Sequence, residues 1–133
     1  MPRSLLFCCA LSVLCFACGN DDDVSAALIE DAVGTYEGFF TDTNTGGIVT
    51  GYRVVVSRQG DNELFIEPEV GLEFLGFAAE VETFNNFQLR TPPALNDSVD
   101  VRVNITVGNP VELRLTGSDA PDFEFRYEGL LQD

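Results

Sequence analysis

The sequence predicts an all-β fold, an antiparallel up-and-down meander of about eight strands preceded by one short helix. From Thr35 onward apolar and polar residues alternate with a period of two, which is typical of strands with one buried face. Short stretches rich in Gly, Asn, Asp and Pro separate the alternating segments, as hairpin turns require. No stretch of helical period is long enough to connect parallel strands, which excludes an α/β fold.

The helix is predicted over about residues 24–33, because Val24, Leu28 and Ala32 recur every four residues and share one face. Aspartates precede this segment, at the positive end of the helix dipole, and Gly34 is suited to its C-terminal cap.

The clearest strand is Val99–Val107, which alternates strictly and is followed by Gly-Asn-Pro and a second strand, Val111–Leu115. Placing Val107 opposite Val111 closes a short hairpin and brings the two apolar faces together.

A third strand is predicted at Phe123–Tyr127. Pairing Leu115 with Phe123 would place Arg114 opposite Glu124, an opposite-charge pair that marks the solvent face.

Weaker strand patterns lie upstream, at residues 36–41, 48–57, 62–67, 72–82 and 87–90. A meander of this size avoids exposed edges by closing into a barrel, whose interior is either filled by side chains or holds one small ligand. A β-sandwich of immunoglobulin type is the alternative.

The four cysteines all precede residue 19, in or just after an apolar run over residues 5–16 that follows Arg3. This run is shorter than the ~20 residues that cross a bilayer and has the layout of a secretory signal peptide. The stretch Cys15-Phe16-Ala17-Cys18 resembles the bacterial lipobox, whose last cysteine receives a diacylglyceryl thioether and becomes the new amino terminus. The resemblance implies a signal peptide over residues 1–17 and a lipid anchor on Cys18, attaching the protein to a membrane that it does not span.

The acidic run Gly19–Asp23 completes a predicted tether over residues 18–23. It resembles the segment that follows the lipidated cysteine in surface-exported lipoproteins of the Bacteroidota. The expected location is therefore the outer membrane, at the cell surface, with the periplasmic face as the alternative.

A further resemblance covers residues 24–133, predicted to be a single domain. The motif Gly34-Thr35-Tyr36-Glu37-Gly38 opens the first strand and Tyr127-Glu128-Gly129 lies in the last. A short helix and a hairpin meander between such motifs resemble the lipocalin-like (calycin) β-barrels of small Bacteroidota lipoproteins. The resemblance implies a barrel that binds a small hydrophobic or amphipathic molecule.

Composition narrows the function classes. The chain has 22 acidic residues against 7 basic ones, a net charge of −15 and no histidine or lysine. Such a surface repels nucleic acid, and we expect a soluble, monomeric domain. Once Cys18 is lipidated, no free thiol remains, so the usual catalytic bases and nucleophiles are missing and no enzyme is expected.

No metal or cofactor is expected either. The acidic pairs Glu67/Glu69 and Glu80/Glu82 are interpreted as solvated strand faces. The stretch "DTNTGG" at 42–47 resembles the start of an EF-hand loop, but Arg53 stands where that loop needs a bidentate glutamate, which favours a hairpin loop.

Two hypotheses about function remain. In one, the barrel binds a small ligand; aromatic residues suited to line such a site include Tyr52, Phe77, Phe125 and Tyr127, with Phe74 and Phe87 as further candidates. In the other, a filled barrel acts through its surface as an accessory, adhesion or protease-inhibitor module for an envelope protein or glycan. Asp97-Ser98-Val99 resembles the Bacteroidota O-glycosylation sequon, which makes Ser98 a candidate modification site.

Overall fold

The computed structural model describes residues 26–71, 74–92, 101–120 and 123–133. This part of the chain contains one helix, α1 (Ala26–Ala32), and nine strands. The strands are β1 (Gly34–Asp42), β2 (Ile48–Arg58), β3 (Glu63–Pro68), β4 (Phe77–Glu80), β5 (Glu82–Asn85), β6 (Gln88–Arg90), β7 (Val101–Thr106), β8 (Glu112–Ala120) and β9 (Phe123–Leu131).

The strands form one antiparallel sheet in the order β4-β3-β2-β1-β9-β8-β7-β6-β5. Each strand except β4 pairs with the next along the chain, and the first strand also pairs with the last, with Tyr36 opposite Leu131 and Phe40 opposite Tyr127. The two ends of this order, β4 and β5, are separated along the chain by Val81 alone. The sheet therefore curls into a nearly closed barrel, which confirms the predicted fold class and rules out the sandwich.

Val81 marks a corner of the barrel. Strand β4 pairs with β3 and strand β5 pairs with β6, so the chain changes partner at this residue. The Val81 side chain is buried, and its N–H donates to the Asn62 carbonyl oxygen at 2.8 Å. Residues 77–85 thus act as one bent strand, so the nine strands correspond to the predicted eight.

One apolar core occupies the interior of the barrel. No polar or charged residue other than tyrosine is buried in the described part of the chain. The strand side chains with the least exposure are Tyr36, Val54, Leu64, Ile66, Leu89, Ile105, Leu113, Leu115 and Tyr127. Alternation with a period of two turns residues of every strand except β5 into this core and leaves charged residues outside.

Helix α1 packs against β2 and β6, which lie on different sides of one barrel end. We call this the lower end. Leu28, Ile29 and Ala32 are buried there, and the Tyr36 hydroxyl donates to the Ala32 carbonyl oxygen at 2.7 Å. The predicted helix is therefore present, and Gly34 follows it at φ 148°, a backbone angle that favours glycine.

The predicted β7–β8 register is confirmed. A hairpin with Val107 opposite Val111 requires Ile105 to face Leu113 and Val103 to face Leu115, and both pairs are present. The predicted β8–β9 register is wrong by four residues.

Leu115 faces Tyr127 instead of Phe123, and Arg114 faces Glu128 instead of Glu124. The reason is that β8 continues to Ala120, three residues before β9 begins, so the hairpin is tighter than expected. An even shift keeps the same residues inside, and the apolar faces still coincide.

The predicted strand over residues 72–82 is also partly wrong. Strand β4 begins only at Phe77, and Phe74 belongs to the connection from β3. The strand then continues past the Val81 corner as β5, into the stretch that was predicted to be a turn.

Closure between β1 and β9 depends on two facing glycines, Gly38 and Gly129. A Cβ atom on Gly38 would lie 1.9 Å from the Glu128 carbonyl oxygen, and one on Gly129 would lie 2.1 Å from the Tyr127 hydroxyl oxygen. The two backbones therefore approach too closely for a side chain at Gly38, and the Tyr127 ring covers Gly129.

We expect Gly38→Ala to destabilise the barrel by about 2–3 kcal/mol, because the added methyl group forces β1 away from β9. Gly60→Ala is the matched control: its Cβ would meet its nearest atom, the Glu63 Cβ, at an ordinary 3.4 Å. Urea unfolding followed by circular dichroism measures both changes. Equal stabilities for the two variants would contradict this account of closure.

Candidate functional site

Six aromatic side chains meet in the upper half of the barrel, away from α1, and we call them the ring stack. Its members are Phe40, Tyr52, Phe74, Phe77, Phe125 and Tyr127. The four residues singled out as possible ligand-lining groups, Tyr52, Phe77, Phe125 and Tyr127, all belong to it. The structure thus brings these residues together, and their contact with a ligand stays a prediction.

Phe74 is the centre of the ring stack. Its ring is stacked on Phe125 with centroids 5.2 Å apart and planes inclined by 8°, and its side chain is only 1% exposed. It also contacts Phe40 and Tyr52, at 6.3 and 6.4 Å between centroids. A residue from the β3–β4 connection therefore fills the upper interior, while its neighbour Leu75 is 67% exposed.

Two of the buried tyrosines, Tyr36 and Tyr127, donate hydrogen bonds to backbone carbonyl groups. The Tyr127 hydroxyl donates to the Tyr52 carbonyl oxygen at 3.3 Å, and the Tyr36 hydroxyl donates to Ala32. Burial raises the pKa of Tyr36 and Tyr127 far above that of a free phenol, so both stay neutral. Such hydroxyls act as structural donors and do not serve as bases at neutral pH.

Phe87, the remaining aromatic candidate, does not join the ring stack. It lies at the β5–β6 hairpin, and its side chain is 52% exposed. Cys18 and Ser98 lie outside the described residues, so lipidation and O-glycosylation stay predictions.

An outer groove of about 240 Å³ crosses strands β1, β9 and β8. Two rows of outward side chains border it: Glu37, Leu130 and Glu112 in the first, and Phe39, Glu128 and Arg114 in the second. The groove lies over the facing pair Gly38 and Gly129, which also belong to its lining. Sequence analysis missed it, although the repeated Tyr-Glu-Gly motif marks both strands that meet beneath it.

The groove is amphipathic. Phe39 is 57% exposed and Leu130 is 43% exposed, so two apolar side chains face solvent beside three carboxylates. Arg114 lies 3.5 Å from a Glu112 oxygen and 3.8 Å from a Glu128 oxygen. Exposed ion pairs of this kind contribute at most about 1 kcal/mol each, so a partner can replace them at small cost.

Three of the four residues in the acidic pairs Glu67/Glu69 and Glu80/Glu82 contact neighbouring side chains on the surface. Glu69 pairs with Arg53 at 2.7 Å, and Glu82 pairs with Arg90 at 2.8 Å. Glu80 accepts a hydrogen bond from the Asn62 amide at 3.4 Å. These contacts agree with solvated strand faces.

The loop over residues 42–47 is a hairpin turn. The Asp42 carboxylate accepts hydrogen bonds from the backbone N–H groups of Asn44 and Thr45 and from the Thr45 hydroxyl, at 2.9, 3.2 and 2.8 Å. The Thr45 hydroxyl bond is the main reason that the pKa of Asp42 is lowered. Within the described ranges, no group of three or more metal-binding side chains is placed to hold an ion.

Comparisons with protein-family models, with curated proteins and with solved structures find no match for this chain. In the part of the chain that the structure describes, no helix is long and apolar enough to span a bilayer.

We expect Phe74→Ala to lower the free energy of unfolding by about 3–5 kcal/mol, because it removes the central ring and leaves a cavity. Phe39→Ala, a change of the same size at a 57% exposed position, is the control and should cost less than about 1 kcal/mol. Thermal and urea unfolding measure both. A Phe74 variant as stable as the Phe39 variant would show that the ring is not part of the core.

Proposed function

We propose that this chain is a non-enzymatic, lipid-anchored envelope protein with a lipocalin-like barrel, which acts on another macromolecule through its outer groove. The interior of the barrel serves as its structural core. The observation that carries this proposal is the position of Phe74, whose ring occupies the upper interior where a small ligand would otherwise lie.

The arrangement of the other rings supports the same reading. Phe40 and Phe125 stack with centroids 5.6 Å apart, and Tyr127 contacts Tyr52 edge-on at 6.1 Å. Each ring thus has other rings as neighbours, in the geometries that stabilise aromatic clusters. The Tyr127 hydroxyl, which could have oriented a ligand, already donates to a backbone carbonyl group.

The outer groove suits a macromolecular partner. Its volume of about 240 Å³ is below the ~300–1,000 Å³ of sites that enclose a drug-sized ligand. It can hold one side chain or one sugar ring, with Phe39 and Leu130 as apolar contacts and Glu112 and Glu128 as hydrogen-bond acceptors. Such a surface fits an accessory, adhesion or inhibitor module of the envelope.

The anchor rests on the sequence alone. The lipobox resemblance at Cys18 supports it, and so does the acidic tether that separates this cysteine from the domain. A lipid on Cys18 would hold the acidic, soluble barrel beside a membrane. The competing hypothesis, a barrel that carries a small hydrophobic ligand, stays a prediction.

Native mass spectrometry separates these two functions. The chain from residue 18 onward, carrying Cys18→Ser and purified from cells without detergent, is expected to show the mass of the polypeptide alone. The same sample measured after denaturation is the control. An excess mass that disappears on denaturation would identify a bound ligand and contradict the proposal.

A further inference from the structure

The lower end of the barrel carries an uncharged region in an otherwise strongly charged chain. Residues 83–89, which form the β5–β6 hairpin, contain no charged side chain, and neither do residues 104–111, which include the β7–β8 connection. Over the whole sequence, by contrast, 22% of residues are charged and the net charge is −15. The two uncharged segments therefore differ from the rest of the chain in their lack of charged residues.

The two segments form one surface, which we call the neutral tip. The Val107 N–H donates to the Phe87 carbonyl oxygen at 2.7 Å, and Gln88 faces Thr106 in the β6–β7 ladder. Backbone pairing thus fixes the hairpin beside the β7–β8 connection. The neutral tip is a rigid part of the barrel end.

The neutral tip presents two large apolar side chains to solvent, Phe84 at 54% and Phe87 at 52% exposure. The Arg90 guanidinium lies 3.9 Å from the centre of the Phe84 ring and is itself paired with Glu82 at 2.8 Å. The charges of Arg90 and Glu82 therefore offset each other. Exposed aromatic side chains on an uncharged surface are typical of a site that binds an apolar partner.

The tip lies at the end of the barrel that faces the expected anchor. Helix α1 packs against β2 and β6 at this end, so the chain toward Cys18 departs from here. Cys18 precedes Ala26 by eight residues, which span at most about 29 Å when fully extended. A lipid on Cys18 would thus keep the lower end close to the bilayer.

The distribution of charged residues indicates which part of the lower end would contact the lipid. Glu30 and Asp61 are exposed and lie beside Arg58 of β2, and anionic headgroups repel their carboxylates. The neutral tip meets no such repulsion, and burying its phenylalanine rings among acyl chains is favourable.

We propose that the neutral tip, through Phe84 and Phe87, inserts into the lipid interface and holds the barrel upright on the membrane. This inference rests on the proposed lipid anchor. It assigns the tip a membrane surface as its partner, and it leaves the outer groove on the barrel wall free for a macromolecule.

The chain has no tryptophan, so a single introduced tryptophan reports its own surroundings. Phe87→Trp places the probe on the neutral tip, and Phe39→Trp is the matched control, 57% exposed on the barrel wall. Each full-length protein is expressed, processed and reconstituted into vesicles of phosphatidylethanolamine and phosphatidylcholine with brominated acyl chains. We expect Trp fluorescence at position 87 to be blue-shifted and quenched several-fold more than at position 39.

Equal quenching at positions 87 and 39 would overturn the proposal, and Phe84→Trp repeats the test should the first variant fold poorly. A blue shift at position 87 without vesicles, growing with protein concentration, would assign the tip to contact between two copies and would also overturn it. The intact mass of the processed protein tests the anchor separately. If that mass shows no lipid on Cys18, Phe87→Trp and Phe39→Trp are compared in the Cys18→Ser background with added vesicles. Stronger quenching at position 87 than at position 39 would again support insertion of the neutral tip into lipid.

Discussion

The close backbone contact between Gly38 and Gly129 joins the first strand of the meander to the last. Pairing β1 with β9 removes the free edges of the first and last strands, so the sheet ends only at β4 and β5, which meet at the Val81 corner. The side chains on one face of every strand then point toward a common axis, where they form one core that includes Tyr36 and Tyr127. A Cβ atom at Gly38 would clash with the Glu128 carbonyl oxygen at 1.9 Å, so closure depends on glycine at that position.

Closure also gives the inner and outer faces of the sheet different side chains. In the described part of the chain, the buried set is apolar apart from tyrosines, and the acidic residues lie outside. The buried hydroxyls of Tyr36 and Tyr127 bond to backbone carbonyl groups. The chemically varied surfaces are therefore external: an amphipathic groove above the closing strands and an uncharged tip at the helix end. In the two proposals made above, one scaffold presents a macromolecule-binding wall and a membrane-facing end at the same time.

Alternation of apolar and polar residues was enough to predict the strands, the inward position of Tyr52 and the pairing of Ile105 with Leu113, because these depend on local patterns. It could not distinguish two β8–β9 registers four residues apart, since both keep the same residues inside. It also assigned Phe74 to the strand predicted over residues 72–82, whereas Phe74 precedes strand β4. Residues three apart point to opposite faces of a strand, but Phe74 and Phe77 contact each other because Phe74 lies outside the strand. Alternation also could not predict that Gly38 faces Gly129, because this pair depends on which distant strands are neighbours. The outer groove, which lies over this pair, could not be predicted for the same reason.

The measurement that tests closure most directly is nuclear magnetic resonance of the chain from residue 18 onward with Cys18→Ser. The account predicts cross-strand contacts between backbone protons of Gly38 and Gly129 and of Phe40 and Tyr127, together with slow amide exchange throughout β1 and β9. Fast exchange on both strands without these contacts would mean that the first and last strands are free edges, and would contradict the nearly closed barrel.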